Sequence, residues 1–142
     1  MIALQPDIQT FLFFAGISQV ILVIGSLAIP KVLNWKSELK NVQTLIRQMF
    51  WTYAAYILVI NLCFGLLSVF AFTELTDKSL LAKVVTGFIA VYWISRVFIQ
   101  FFYFDRKSFP SGILNRIAEV LLVTLFVALS AVYSWSFYVN FI

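Results

Sequence analysis

Residues 92–119 read YWISRVFIQFFYFDRKSFPSGILNRIAE. An apolar run that carries one arginine, Arg96, leads into a short polar segment at 105–112, and a second apolar run follows. The polar segment ends in Pro110, Ser111 and Gly112, residue types that are typical of turns. The pattern predicts the end of one membrane helix, a turn, and the start of the next helix.

The composition of the whole chain indicates that lipid is its solvent. Of the 142 residues, 63% are hydrophobic and 11% are charged, whereas a soluble domain carries roughly 25% charged residues and about 45–50% apolar ones. A domain of this size leaves much of its surface exposed, so it cannot hide such an excess in a core. We therefore predict an integral membrane protein.

Four long apolar runs predict the fold. About 20 residues, at a rise of 1.5 Å each, cross a hydrocarbon core as a helix. The runs lie at approximately 8–30, 48–73, 80–104 and 113–140. We expect an all-α polytopic membrane protein in which residues 1–142 form a single domain. Its four transmembrane helices are expected to form an antiparallel bundle.

The connection at 31–47 is longer than the other two and is basic. Its apolar residues recur at three- and four-residue spacing, which predicts one helical stripe with helix extensions into the interface. The basic residues are Lys31, Lys36, Lys40 and Arg47. Either the flanking helices simply continue into the interface, with lysine stems lying along apolar surface, or the segment is an amphipathic surface that binds anionic lipid or a partner helix.

The distribution of basic residues predicts the orientation. The first and third connections, with adjoining helix ends, contain seven of them: Lys31, Lys36, Lys40, Arg47, Arg106, Lys107 and Arg116. The second connection and its helix ends contain two, Lys78 and Lys83. Because cytoplasmic loops are enriched in lysine and arginine, we expect both termini to lie outside the cytoplasm. A bacterial-type cytoplasmic (inner) membrane is the expected location.

Several classes of chemistry are excluded by residue type. Histidine is absent, which excludes histidine-ligated metal or haem and histidine acid–base catalysis. Cys63 is the single cysteine, so one chain cannot form a disulfide or a paired-cysteine metal site. The sequence also lacks a nucleophile elbow and a glycine-rich phosphate loop. We therefore expect no catalytic residue, no cofactor, no metal and, despite a net charge of +4, no nucleic-acid partner.

Two opposite charges fall inside the third and fourth runs. With Ser108 as the centre of the turn, Arg96 lies twelve residues before it and Glu119 eleven after it, so we expect the two side chains at similar depth. An arginine within a membrane span is costly, and pairing reduces that cost. The predicted intramembrane polar cluster consists of Tyr92, Arg96, Gln100, Tyr103, Asn115 and Glu119.

This polar cluster has three interpretations. In the first, Arg96 and Glu119 form a structural clamp between the two helices; such a buried pair adds little net stability, although removing one partner costs about 3–5 kcal/mol. In the second, Glu119 pairs with Arg116 or favours the helix N-terminus, while Arg96 reaches the interface alone. In the third, the cluster lines a cavity open to the cytoplasm that binds an anion or passes protons.

Two amides lie near the middle of the first and second runs. Gln19 and Asn61 would each be costly if exposed to lipid without a partner. Both are therefore predicted to face the bundle and to form interhelical hydrogen bonds.

The functional hypothesis that follows is a non-enzymatic membrane bundle that acts as an accessory or scaffold subunit or as a homo-oligomer. Its expected partners are the lipid bilayer, with anionic lipid among its components, and other membrane subunits or further copies of the chain. The alternative is a small oligomeric transporter or channel that uses Arg96 and Glu119. A weaker alternative is a lipid-modifying membrane enzyme with a head group at Arg96 and Tyr92.

Overall fold

The structure, a computed structural model, describes residues 4–103 and 112–142, with side chains described from residue 8. The elements are α1 (Leu4–Ser26), α2 (Ile29–Val32), α3 (Trp35–Glu38), α4 (Thr44–Phe70), a 3₁₀ turn (Glu74–Thr76), α5 (Leu80–Phe102) and α6 (Ile113–Val139). Within these two ranges the regular structure is entirely helical. The predicted all-α class is confirmed.

Four of the described helical segments are long and apolar enough to cross a membrane: Ile8–Val32, Thr44–Phe70, Leu80–Phe102 and Ile113–Val139. Their bounds differ from the predicted ones by four residues or fewer. This supports the prediction of an integral membrane protein. Residues 104–111, which contain most of the predicted turn at 105–112, lie outside the described residues.

The connection between the first two long helices is not one helical stripe. Helices α2 and α3 are single turns separated by Asn34, whose φ of 57° places it in the left-handed region. Asparagine tolerates this conformation because its short polar side chain can bond locally. The continuous stripe predicted for 31–47 is therefore wrong, although α4 begins at Thr44 and so includes the end of that segment.

Helix α1 packs closely on α4 where two glycines meet. A Cβ atom added to Gly16 would lie 2.6 Å from the backbone oxygen of Gly65, and one added to Gly65 would lie 3.0 Å from the oxygen of Gly16. Small residues allow two membrane helices to approach at backbone distance. Nearer the start of α1, the rings of Phe13 and Phe72 make an edge contact at 6.2 Å.

Helices α5 and α6 form a second packed pair. Trp93 stacks on Phe126 with ring centroids 5.4 Å apart, and Gly87 leaves room for the ring of Phe137. Helix α1 also packs on α6, whereas α4 reaches α5 through aromatic side chains. The order around the bundle is therefore α4, α1, α6, α5.

The start of α5 is capped within the short connection before it. The Ser79 hydroxyl accepts a hydrogen bond from the backbone N–H of Ala82 at 3.1 Å, as an N-cap residue should. The Asp77 carboxylate in turn accepts from the backbone N–H of Ser79 at 2.9 Å. Hydrogen bonds from Ser79 hold the pKa of Asp77 below its ordinary value.

The glycine crossing yields a matched pair of variants. We expect Gly16→Ala to destabilise the protein by about 1–3 kcal/mol, the usual effect of overpacking, because the new methyl group would meet the Gly65 backbone. Gly25→Ala is the control, since nothing lies within 4 Å of a Cβ atom at that position in the same helix. Thermal melting in one detergent measures both. Equal melting temperatures for the two variants would show that the crossing is not tight.

Candidate functional site

A set of buried polar side chains at the centre of the bundle, here called the core network, joins all four long helices. Its members are Gln19 on α1, Ser68 on α4, Trp93 on α5 and Tyr133 on α6. Trp93 is 1% exposed and the other three are 0% exposed. A polar atom this deeply buried is costly unless it is hydrogen-bonded.

The amide of Gln19 is the hub of the core network. Its Nε2 donates to the Tyr133 hydroxyl at 2.6 Å and to the Ala15 backbone oxygen at 3.2 Å. Its Oε1 accepts from the Trp93 indole N–H at 3.2 Å. The Tyr133 and Ser68 hydroxyls share a further hydrogen bond. Each helix thus places one polar side chain at a common point, which fixes the rotation and depth of all four.

Sequence reasoning singled out Gln19 but missed its partners. Tryptophan and tyrosine concentrate at membrane interfaces, whereas Trp93 lies near the middle of α5 and Tyr133 is fully buried on α6. A buried indole N–H or phenol needs a hydrogen-bond partner. That mismatch between residue type and position was the available signal.

A second polar group, here called the end clasp, ties the C-terminal end of α6 to the connection at 74–79. Asn140 is 2% exposed; its Nδ2 donates to the Leu75 backbone oxygen at 2.8 Å, and its Oδ1 accepts from the Lys78 backbone N–H at 3.1 Å. At the same end, Gln9 Nε2 donates to Thr76 Oγ1 at 3.1 Å. The clasp secures the loop against both α1 and α6.

The predicted cluster around Arg96 is brought together in part. Arg96 is half-buried, and its Nη1 donates to Gln100 Oε1 at 3.2 Å. Its guanidinium carbon lies 4.7 Å from the centroid of the Phe126 ring, a cation–π geometry. One turn away, the Tyr92 hydroxyl donates to Asn61 Oδ1 at 2.6 Å and so links α5 to α4.

The α6 members of the predicted cluster lie nearer the start of α6 than Phe126, the residue that contacts Arg96. Glu119 and Asn115 are half-buried on α6, and Tyr103 at the end of α5 is 82% exposed. Phe126, which contacts Arg96, follows Glu119 by seven residues, a distance of about 10 Å along a helix. A pair between Arg96 and Glu119 would need both side chains to extend along the helix axis, and it stays a prediction.

Of the four basic residues of 31–47, Arg47 lies on α4 and the three lysines precede that helix. Lys31, Lys36 and Lys40 are exposed, and Arg47 is half-buried. Beside them the Trp35 ring contacts both Phe50 and Trp51.

Residues 4–103 and 112–142 contain no group of three or more cysteine, aspartate or glutamate side chains placed to hold a metal ion.

Comparison with protein-family models, with curated proteins and with solved structures finds no match.

The core network can be tested by a double-mutant cycle. Tyr133→Phe removes the hydroxyl that bonds Gln19 and Ser68, and Ser68→Ala removes one of its partners. We expect each change to destabilise the protein, and the pair to cost less than the sum because both delete the same bond. Interhelical hydrogen bonds in membrane proteins show couplings that average about 0.6 kcal/mol. Reversible unfolding in mixed micelles measures the cycle, and strictly additive effects would contradict the network.

Ser136 gives the opposite expectation. Its Oγ is buried and has no hydrogen-bond partner among the described residues. An unsatisfied buried hydroxyl costs about 1–3 kcal/mol, so Ser136→Ala should raise the melting temperature, whereas Ser68→Ala should lower it. A loss of stability in Ser136→Ala as large as in Ser68→Ala would refute this interpretation.

Proposed function

We propose that this protein is a non-enzymatic integral membrane bundle that acts as an accessory or scaffold subunit or as a homo-oligomer. The observation that carries the proposal is the core network. Its four buried side chains use their polar atoms on one another, and the end clasp does the same at one end. Hydrogen bonds among buried side chains fix the positions of the helices. The bundle then presents a defined outer surface.

The outer surface supports the same proposal. Large apolar side chains are exposed along all four long helices, and α4 contributes many of them: Leu45, Ile46, Tyr53, Tyr56, Ile57, Val59, Ile60, Leu66 and Phe70. In a bilayer this surface meets lipid chains or the helices of another subunit. Exposed aromatic rings offer large contact area with few rotamers to immobilise. A scaffold subunit needs such a surface on a rigid support.

The order of interhelical contacts supports antiparallel crossing. Phe13 meets Phe72 and, farther along α1, Gly16 meets Gly65. On α5, Gly87 meets Phe137 and Trp93 meets Phe126. Each pair of contacts runs in opposite sequence order along its two helices. Together with the bias of seven basic residues against two, this favours four crossings with both termini outside the cytoplasm of a bacterial-type inner membrane.

The lone cysteine makes the oligomer arm of the proposal testable in intact membranes. Cys63 is exposed on α4, and it is the single cysteine of the chain. We expect a bifunctional maleimide to link Cys63 to the same residue of a second copy or to a cysteine of a partner. The product should be one discrete larger band on a denaturing gel. Cys63→Ser should abolish that band. A parallel purification in nanodiscs should recover a partner or a defined oligomer.

A strictly monomeric, partner-free protein in both experiments would contradict the proposal. A smear of crosslinked products at random sizes would count as collision in the membrane and would also fail to support it.

A second candidate function is a small oligomeric transporter or channel, favoured by one observation. Arg96 is a half-buried cation inside a membrane-length helix, bonded to Gln100, and intramembrane arginines often mark substrate or ion paths. In that case Arg96→Ala or Glu119→Gln should abolish flux in proteoliposomes while folding is retained. Lys83→Ala, near the start of the same helix, is the control. Intact flux in the Arg96 and Glu119 variants would reject this candidate.

A further inference from the structure

The connection between the first two long helices carries an exposed basic and aromatic surface. We define this interfacial patch by Lys31, Trp35, Lys36, Lys40 and Trp51. The three lysines are exposed, and Trp51 is 40% exposed. None of these residues takes part in the core network or the end clasp, so the proposed scaffold role leaves the patch unexplained.

The aromatic members fix the patch at the start of α4. The Trp35 ring lies edge-on to Phe50 at 4.8 Å and to Trp51 at 5.5 Å. These contacts hold the segment that contains α2 and α3 against the end of a membrane-length helix. Tryptophan rings favour the head-group level of a bilayer. Tryptophan rings at that level would bring Lys36, which follows Trp35 directly, to the depth of lipid head groups.

The backbone of the segment forms internal hydrogen bonds, which is compatible with a surface that only partly contacts water. The N–H groups of Leu33, Leu39 and Val42 donate to backbone oxygens within the segment, at 2.9, 2.8 and 3.1 Å. Local hydrogen bonds of this kind lower the cost of moving the backbone out of water. The left-handed residue Asn34 separates the two short helical turns. The peptide groups are thus largely satisfied internally, and the lysine heads remain available to a ligand.

Charge identifies the kind of ligand. Residues 31–47 contain four basic residues and one acidic residue, Glu38, a net charge of +3. Exposed Val32 and Leu33 lie beside Lys31, so apolar and cationic groups share the surface. Anionic phospholipids offer both a complementary head group and acyl chains for the apolar side chains. An acidic soluble protein would complement only the charge.

We propose that the interfacial patch binds the head groups of anionic phospholipids in the leaflet that faces it. The ammonium groups of Lys31, Lys36 and Lys40 donate to lipid phosphate oxygens, while Trp35 and Trp51 hold the segment at that level. This role is independent of the proposed scaffold function, since it concerns the lipid and not a protein partner.

The test measures lipid selection in nanodiscs that contain equal amounts of phosphatidylglycerol and phosphatidylcholine. Native mass spectrometry after release counts the lipids that stay bound. We expect the wild-type protein to retain phosphatidylglycerol preferentially. The triple variant Lys31→Gln/Lys36→Gln/Lys40→Gln should lose that preference by at least about tenfold, since each surface lysine contributes about fivefold. Raising the salt concentration should weaken it as well.

A matched control lies on the opposite side of the predicted topology. Lys78→Gln/Lys83→Gln removes two cations outside the patch and should keep the preference. If the triple variant does not fold, as judged by its melting curve, Lys36→Gln/Lys40→Gln replaces it and should lose about two-thirds of the effect on a logarithmic scale, since it removes two of three equal contributions. Unchanged selection in the folded patch variant, or equal loss in the control, overturns the proposal. So does a wild-type protein that binds an acidic protein but shows no preference between the two lipids.

Discussion

The structure depends on one constraint, that a polar group buried inside a membrane bundle is costly unless it finds a hydrogen-bond partner within the protein. Gln19 meets that constraint by bonding Tyr133 and Trp93 at once, and Tyr133 extends the set to Ser68. Hydrogen bonds of this kind add little net free energy to the folded state, because the unfolded chain in the membrane also finds hydrogen-bond partners. What it supplies is specificity, because only one rotation and one depth of each helix place the four side chains together.

The glycine crossing is what makes the core network geometrically possible. Gly16 and Gly65 bring α1 and α4 to backbone distance, and a Cβ atom on Gly16 would lie 2.9 Å from that of Ser68. A Cβ atom on Gly65 would lie 3.2 Å from that of Gln19. The close packing of α1 and α4 therefore allows the polar side chains of the core network to reach one another. Because these polar side chains are buried inside the bundle, the surface that remains exposed is apolar.

Much of the fold could be predicted from the sequence because long apolar runs of membrane length have few alternatives. The interior was less predictable. Gln19 is recognisable as an amide in the middle of an apolar run, but its partners on two other helices, Tyr133 and Trp93, depend on helix rotation, which a single run does not reveal. The helix break at Asn34 was missed because its neighbours keep an apolar three- and four-residue spacing that looks continuous. The level of Arg96 relative to α6 was inferred from a turn centre at Ser108, which lies outside the described residues.

The most direct test of a bundle organised around Gln19 is a measurement on the side-chain amide of that residue. In ¹⁵N-labelled protein in nanodiscs, the Nε2 protons of Gln19 should exchange slowly with deuterated water and should shift when Tyr133 is replaced by phenylalanine. Gln9, whose amide bonds Thr76 near the end of the bundle, provides an internal reference that should not shift. A Gln19 amide that exchanges as fast as a surface side chain, or whose signals ignore the loss of the Tyr133 hydroxyl, would contradict a bundle organised around that residue.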